Sequence, residues 1–270
     1  MEIIQNDKLK AYISLKGGIL NSLIDLSNNE ELEYQIEEGS WPMQDVVIFP
    51  FPGDNKFTFN NKEYHIPTRH GLLRGHDFKV LSKGKDYIEL YVNSNEESLK
   101  VYPFNFVFIL RYELINKSIK YTSKIIALNN TLYAGYGEHL ALKANENGKV
   151  YLNNSTTLYP LVNGLIDLNN PIKLDNVLSL SKDTFKKYDT LVFKNESKKI
   201  ILDNGFNRLI SYEFDSPYFA IWSNPNKGSF VCIEPWWGMT NYINEPSSIK
   251  DRLGIDEIKE SKEYSFTINF

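Results

Sequence analysis

Apolar and polar residues alternate along most of this chain, so a period of two dominates over the helical period of 3.6. The alternation runs from Leu9 to Leu15 in KLKAYISL, breaks at Gly17 and Gly18, and resumes in ILNSLIDL. Similar stretches, rich in β-branched and aromatic residues, continue to the C-terminus: DYIELYVNS, FVFILRYELI, SIKYTSKIIAL, YFAIWS, SFVCIEPW and YSFTINF. This pattern predicts a succession of β-strands.

Short turn sequences separate these strands and limit how they can pair. LINKS, ALNNT, ANENGK and DNGFN supply the Asn and Gly that chain reversals need. Parallel neighbours would need a helical crossover between them, so short turns predict antiparallel pairing. The sequence therefore predicts an all-β fold, a large antiparallel β-sandwich formed by one domain over residues 1–270.

Two segments depart from the strand pattern and predict short helices. One is SLSKDTFKKYD, around residues 179–189. The other is SSIKDRLGIDEIKE, over residues 247–260, in which Ser247 or Ser248 is a candidate N-cap. Neither segment is long enough to change the fold class.

Composition and charge exclude several classes of protein. With 270 residues, 42% hydrophobic and 14% aromatic, the chain has enough apolar material for one large core. Its 30 basic and 34 acidic residues are interspersed, which disfavours nucleic acid and anionic membranes as partners. No signal segment or membrane span is found, so a soluble, cytoplasmic protein is predicted. A single cysteine, Cys232, excludes an intrachain disulfide and a cysteine metal cluster.

A carboxylate interrupts an otherwise apolar strand near the C-terminus, in CIEPWWG. Alternation places Glu234 on the same face as Phe230 and Cys232. Partial desolvation there raises the pKa of the carboxyl and makes it a better base, and Pro235 is expected to stop the sheet ladder. Two interpretations stand: a catalytic base at the mouth of a sheet, or a strand-end carboxylate paired with a surface lysine.

Two tryptophans follow this carboxylate directly. Flat aromatic faces beside a carboxylate are a common means of holding the apolar faces of sugar rings. Core packing is the other interpretation of Trp236 and Trp237.

Histidine is the natural partner of a carboxylate in proton transfer, and the chain has four. His139, in YAGYGEHLAL, shares a predicted strand face with Gly135 and Gly137. The missing side chains of these glycines are expected to leave space for a ligand beside the imidazole.

A second histidine lies in a glycine-containing loop. His70 belongs to RHGLLRG, with Arg69 and Arg74 close in sequence. The other two histidines, His65 and His76, lack such settings and are interpreted as turn or surface residues.

The order of four motifs resembles the aldose 1-epimerase family, also called galactose mutarotases. FPFPG at residues 49–53, HGLLRG beginning at His70, GEHLAL around His139 and CIEPWWG follow one another as they do in that family. The likeness points to the bacterial LacX-like branch and spans nearly the whole chain. CIEPWWG is its most specific motif, and the His139 segment is its weakest.

The resemblance implies a large twisted β-sandwich of the galactose mutarotase type that works without a cofactor or a metal. In that family a glutamate takes the proton of the anomeric hydroxyl while a histidine protonates the ring oxygen. The ring opens, and reclosure gives the other anomer. Matched motif by motif, Glu234 resembles the general base, His139 the general acid, and His70 the second histidine that bonds the sugar oxygens.

The resemblance also implies substrate-binding residues. Arg74 resembles the arginine that follows the histidine-glycine motif. Asp189, in YDTLVF, resembles the aspartate that binds sugar hydroxyls, although an aspartate before a strand is also an ordinary turn residue. Trp236 is the candidate stacking platform. The implied partner is a small sugar, an aldohexose, bound by a monomer or a homodimer.

Two departures from the family pattern keep a second hypothesis open. Many relatives carry an arginine just after the glycine of FPFPG, where this chain has Asp54, Asn55 and Lys56, and a lysine lacks the planar two-pronged donor. Relatives usually place proline or aromatic residues after the histidine that corresponds to His139, whereas Leu140 follows it here. A carbohydrate-binding protein on the same fold, without turnover, is therefore the alternative function.

A glycoside hydrolase or lyase is the third hypothesis, and it needs two carboxylates that face one cleft. The candidate partners of Glu234 are Glu138 and Asp189. Alternation puts Glu138 on the face opposite His139, and Asp189 lies outside any distinctive motif, so this hypothesis ranks last.

A neutral hexose is the substrate expected from the sequence. Phosphate recognition usually recruits clustered arginines. Near the candidate site the chain has two, Arg69 and Arg74, so a phosphorylated sugar ranks lower.

Overall fold

Two large antiparallel sheets pack face to face in the computed structural model, which describes residues 1–224, 226 and 228–270. In chain order the strands are β1 (Glu2–Gln5), β2 (Leu9–Ile13), β3 (Leu20–Asp25), β4 (Glu30–Glu31), β5 (Val47–Ile48), β6 (Asn55–Phe59), β7 (Lys62–Ile66), β8 (Lys79–Lys83), β9 (Tyr87–Asn93), β10 (Phe106–Ile115), β11 (Ser118–Ala127), β12 (Leu132–Ala134), β13 (Tyr136–Glu138), β14 (Ala141–Lys143), β15 (Lys149–Tyr151), β16 (Thr157–Tyr159), β17 (Leu161–Val162), β18 (Leu165–Ile166), β19 (Ile172–Lys173), β20 (Val177–Ser179), β21 (Leu191–Lys194), β22 (Lys199–Asp203), β23 (Leu209–Phe214), β24 (Tyr218–Trp222), β25 (Phe230–Trp237), β26 (Asp256–Ile258) and β27 (Ser261–Asn269).

The larger sheet has nine strands in the order β20-β15-β22-β23-β27-β11-β10-β9-β8. The second has eight, in the order β19-β16-β21-β24-β25-β13-β5, with β14 also paired to β25. All strand pairings recorded within these two sheets are antiparallel. A four-stranded sheet, β1-β2-β3-β4, lies beside them. The predicted all-β sandwich is confirmed.

Aromatic side chains from both sheets form the core between them. The ring centroid of Phe108 on β10 lies 6.1 Å from that of Tyr136 on β13, and Phe214 on β23 lies 5.6 Å from Phe219 on β24. All four residues are buried. Burial of one such ring contributes about 1.5–3 kcal/mol relative to exposure. The alternation along each strand therefore directs apolar side chains to one face, and their burial between the sheets is the main force that joins them.

Two short α-helices interrupt the strands. The first, α1 (Glu96–Val101), begins at a capping box formed by Asn95, and the sequence pattern did not predict it. The second, α2 (Lys182–Tyr188), has Ser181 as its N-cap and confirms the helix predicted around residues 179–189. Neither described helix is long and apolar enough to cross a membrane.

The second predicted helix, over residues 247–260, is wrong apart from one turn. A 3₁₀ helix spans Ile249–Asp251 with Ser248 at its N-cap position. Gly254 then adopts a φ of 71°, and the chain continues as β26, paired with β12. Ile258 is only 2% exposed in this pairing, so burial against the core outweighs the local preference for a helix.

The expectation that Pro235 ends the sheet ladder is also wrong. The strand β25 continues through Pro235 to Trp237, and Pro235 lies opposite Phe219 of β24. On its other side β25 pairs with β13 through Trp236 and Trp237 and with β14 through Phe230–Cys232. The proline lies between these two pairings, where no neighbouring strand needs its missing N–H group.

Candidate active site

A cleft of about 380 Å³ lies on the face of the eight-stranded sheet opposite the main core. This volume is within the usual range of small-molecule sites, about 300–1,000 Å³. The cleft is lined by the six residues to which the family resemblance gave a role in catalysis or substrate binding: Glu234, His139, His70, Arg74, Asp189 and Trp236.

Glu234 reaches the cleft from the middle of β25, where it lies opposite Ala220 of β24. The residue is 1% exposed, and the indole Nε1 of Trp236 donates a hydrogen bond to its Oε2 at 3.2 Å. Desolvation raises the pKa of Glu234 to about 8, although the Trp236 hydrogen bond and the positive charge of Arg69 act in the opposite direction. At neutral pH this carboxyl is therefore protonated.

His139 projects into the cleft from the segment between β13 and β14. Its N–H donates to the carbonyl of Val46 at 3.0 Å, and its carbonyl accepts from the N–H of Val46 at 3.2 Å. The imidazole Nε2 lies 3.3 Å from Oε1 of Glu234. Burial lowers the pKa of His139 to about 4, so the ring is neutral at pH 7.

Two tryptophans fix the plane of the His139 ring. The Trp41 ring stacks on the imidazole with a centroid distance of 5.3 Å and an interplanar angle of 26°. Trp222 meets the imidazole edge-on at 5.7 Å. These two ring contacts hold the imidazole in place. Both tryptophans also line the cleft, so they present aromatic surface to a ligand.

Glu234 and His139, called the acid–base pair below, share a single proton over a wide pH range. The pKa of the histidine is about 4 and that of the carboxyl is about 8, so between these values one of the two groups is protonated. A pair in this state can deliver one proton while it removes another.

His70 stands beside the acid–base pair on a turn with an unusual backbone. Its φ is 68°, its N–H donates to the carbonyl of Gly53 at 2.9 Å, and its Nδ1 accepts from the N–H of Gly53 at 3.3 Å. Since Nδ1 is an acceptor, the proton of the neutral ring is on Nε2. Desolvation, and then the charges of His139 and nearby arginines, lower the pKa of His70 well below its usual range. The ring centroids of His70 and His139 are 5.3 Å apart.

Charged residues stand at the mouth of the cleft. Arg69, Arg74 and Asp189 line it and are exposed. Asp189 is the C-cap of α2, with a φ of 56°, and directly precedes β21. Lys56 is not among the residues that line the cleft, so it does not stand in for the arginine that many relatives carry.

Comparison with known proteins supports the same interpretation of the fold. The family model described as aldose 1-epimerase matches residues 2–269. The chain belongs to the aldose 1-epimerase family. It is 23% identical to the plasmid-encoded protein LacX of Lactococcus lactis subsp. lactis, over 98% of both chains.

Solved structures of galactose mutarotase-like proteins superimpose closely on this chain. A galactose mutarotase related enzyme from Lactobacillus acidophilus matches with a TM-score of 0.92 and 26% identity, over 99% of this chain and 96% of that one. A galactose mutarotase-like protein from Lactobacillus casei matches with a TM-score of 0.90 and 22% identity, over 100% and 99%. The fold is therefore the galactose mutarotase-like sandwich that the motifs implied.

Gly135 and Gly137, which were expected to leave space for a ligand beside His139, have a different role in this member of the aldose 1-epimerase family. A Cβ atom on Gly135 would lie 1.6 Å from the carbonyl oxygen of Trp237, and one on Gly137 would lie 2.9 Å from that of Pro235. The glycines thus allow close packing of β25 and leave no space for a ligand. The space beside His139 is enclosed instead by side chains from distant segments.

Several residues of the cleft were not found from the sequence. Trp41 and Trp222 lie far apart in the chain and come together only through the fold. Thr240 and Asn241 form another wall, where the Asn241 Oδ1 accepts from the N–H of Asp54 at 2.7 Å. These residues follow the CIEPWWG motif after Met239, and this proximity was the one available signal.

Glu138, the first candidate for a second catalytic carboxylate, faces away from the cleft. It is fully buried, and the hydroxyl of Tyr136 donates to its carboxyl. Among the cleft-lining residues the carboxylates are Glu234 and Asp189. Within the part of the chain that the structure describes, no three His, Cys, Asp or Glu side chains converge as a metal ion would require.

Proposed function

We propose that this protein is an aldose 1-epimerase that interconverts the α and β anomers of an aldose through Glu234 and His139. The observation that carries the proposal is the 3.3 Å separation of Glu234 Oε1 and His139 Nε2 inside a cleft of about 380 Å³. In a pyranose the anomeric oxygen and the ring oxygen are bonded to the same carbon, so adjacent donor and acceptor groups can reach both.

The sugar enters with its anomeric carbon toward the acid–base pair. Trp41 and Trp222 offer aromatic surface to the ring, and the Nε2–H of His70 donates to a sugar oxygen. Hydrogen bonds from the anomeric hydroxyl to Glu234, and from His139 to the ring oxygen, favour the charged form of the pair, so the proton moves from the carboxyl to the imidazole.

Ring opening then moves two protons and breaks one bond. Glu234 accepts the proton of the anomeric hydroxyl, and the oxygen of that hydroxyl forms the aldehyde double bond to carbon 1. The bond between carbon 1 and the ring oxygen breaks, and its electron pair goes to the ring oxygen, which takes the proton of His139. The pair is left with a protonated carboxyl and a neutral imidazole, the state favoured by the two pKa shifts.

Ring closure reverses these transfers after the aldehyde has turned about the bond between carbons 1 and 2. His139 takes the proton from the hydroxyl of carbon 5, and the oxygen of that hydroxyl attacks the other face of the carbonyl. Glu234 returns a proton to the carbonyl oxygen. No net proton is gained or lost, which fits a pair that holds one proton.

Polarimetry tests this proposal. Freshly dissolved α-galactose and α-glucose should reach anomeric equilibrium faster with the wild type, and Glu234→Gln should abolish this acceleration while circular dichroism shows an intact fold. Glu138→Gln is the matched control because that carboxyl lies outside the cleft.

The result that would overturn the proposal is sugar binding, measured by calorimetry, without acceleration for any common aldose. That outcome would favour a carbohydrate-binding protein on the same fold. Equal acceleration by wild type and Glu234→Gln would instead overturn the role of Glu234.

A further inference from the structure

The arginines of this chain fall into two groups that differ in their partners. Three of the five contact carboxylates: Arg111, Arg208 and Arg252. The other two, Arg69 and Arg74, have no ion-pair or hydrogen-bond partner among the described residues, and both line the cleft. A guanidinium carries five N–H donors, so these two offer unused donors to whatever binds there.

Backbone hydrogen bonds fix the turn at residues 68–71, which carries Arg69 and precedes Arg74. The N–H of Gly71 donates to the carbonyl of Thr68 at 3.2 Å, and the N–H of Leu72 donates to that of Phe49 at 2.6 Å. Gly71 has a φ of 102°, and a Cβ atom there would lie 1.8 Å from the carbonyl oxygen of Phe49. The main chain on either side of His70 is therefore fixed against Phe49, and both arginines line the cleft from this segment and the residues that follow it.

Positive charge at this rim reaches the acid–base pair. The charge of Arg69 opposes the rise in the pKa of Glu234 that desolvation causes, and after desolvation the charges of both arginines lower the pKa of His139. Glu234 is protonated at neutral pH, so among the cleft-lining residues Asp189 is the carboxylate that balances two cations. The cleft thus has a net positive charge and attracts an anion.

We propose that the aldose bound here carries an anionic substituent, which Arg69 and Arg74 hold at the rim while the anomeric carbon lies at the acid–base pair. This inference rests on the proposed function and replaces the neutral hexose expected from the sequence. A phosphate ester fits better than a carboxylate, because three terminal oxygens can accept from two guanidinium groups, whereas one carboxylate is filled by a single two-pronged contact.

Calorimetric binding of glucose, glucose 6-phosphate and glucuronate at low ionic strength tests the inference. The wild type should bind glucose 6-phosphate at least about tenfold more tightly than glucose, as expected when charge-assisted hydrogen bonds are added. Tighter binding of glucose 6-phosphate than of glucuronate identifies a phosphate ester, and the reverse order identifies a sugar acid.

Substitution of the two arginines sharpens the test. In the double variant with Arg69→Gln and Arg74→Gln, the dissociation constant of glucose divided by that of glucose 6-phosphate should fall to near one. Lys124→Gln is the matched control, because it removes one exposed positive charge from β11, outside the cleft, and should keep the ratio. Higher salt should weaken binding of the phosphate ester and leave binding of glucose unaffected.

Three results would overturn the inference: equal affinity for charged and neutral sugars, a ratio that survives loss of both arginines, or inorganic phosphate that binds as tightly as the ester. Anomer exchange followed by NMR on the same sugars separates this inference from the proposed function. Arginine-dependent binding without accelerated exchange would overturn the epimerase and keep the anionic ligand, whereas accelerated exchange without charge preference would do the opposite.

Discussion

Glu234 and Glu138 are both buried carboxyls on neighbouring strands of one sheet, yet they lie in opposite surroundings. Glu234 faces a cleft and contacts the imidazole of His139. Glu138 faces the closed core, where it contacts Tyr136 and hydrogen-bonds the carboxyl of Asp45. Desolvation raises the pKa of both glutamates, and the charge of Asp45 adds to the effect at Glu138.

The difference shows that a shifted pKa does not by itself identify a catalytic carboxyl. Glu138 belongs to a buried cluster with Asp45 and Glu33, and desolvation raises the pKa of these two carboxyls as well. Glu234 has in addition a partner that can exchange its proton and a route for a substrate. Access and a complementary partner, more than burial, separate the two regions.

The largest expected effect comes from substituting adjacent residues that face these two regions. His139→Asn should lower the rate of anomer interconversion about 10²- to 10⁴-fold, since it removes one member of the acid–base pair. Glu138→Gln should change the rate little. Polarimetry with both variants, with circular dichroism to confirm folding, checks this prediction, and a similar loss in both would erase the distinction between the regions.

The pH dependence of the rate should report the cleft and not the closed cluster. Below about 4 both members of the acid–base pair are protonated and no base remains, and above about 8 neither is protonated and no acid remains. We expect kcat/KM to be level between these values and to fall about tenfold per pH unit beyond them. Glu138→Gln should leave both limbs in place, whereas a limb that moves in this variant would couple the regions.

A smaller effect is expected from the hydrogen bond between Trp236 and Glu234. This bond lowers the pKa of the carboxyl, so Trp236→Phe should move the upper limb of the pH profile to higher pH and reduce the rate about tenfold. Trp237→Phe is the control, since Trp237 packs in the main core against Tyr136. An unchanged limb in Trp236→Phe would show that the bond does not act on the carboxyl.

The smallest effect concerns stability. The pKa of Glu138 lies well above 4.5, so the folded state binds more protons than the unfolded state once the pH exceeds this value, and the free energy of unfolding falls as the pH rises. Glu138→Gln should make this fall shallower by at most about 1.4 kcal/mol per pH unit. Urea unfolding at several pH values measures the slope, and an unchanged slope would contradict the raised pKa.

The parts of the fold and of the cleft that depend on strand alternation could be predicted from the sequence. The period of two gave the all-β class, and it placed Glu234 and Glu138 on the correct sides of their strands because successive side chains of a strand point to opposite faces. The motifs brought His70 and Arg74 into the same site. Their roles in catalysis and binding, and the single-domain organisation, stay predictions.

What the sequence missed depends on contacts between distant segments. Trp41 and Trp222 are separated by most of the chain, so no local pattern joins them. The segment after Ser248 has the local signals of a helix, yet pairing with β12 draws Ile258 into the core. Pro235 could be tolerated only because β13 and β14 leave a gap opposite it, which is a property of the sheet and not of the strand.

The alternation of Glu138 and His139 has a consequence for how this gene segment can change. Insertion or deletion of one residue between Gly135 and His139 would exchange the two sides of the strand, sending the imidazole into the core and the carboxyl into the cleft. The close contact of Gly135 with the carbonyl of Trp237 fixes the register of this strand against β25. A substitution here would affect the fold or the reaction according to the residue that it replaces. A change in length by a single residue would disrupt both together.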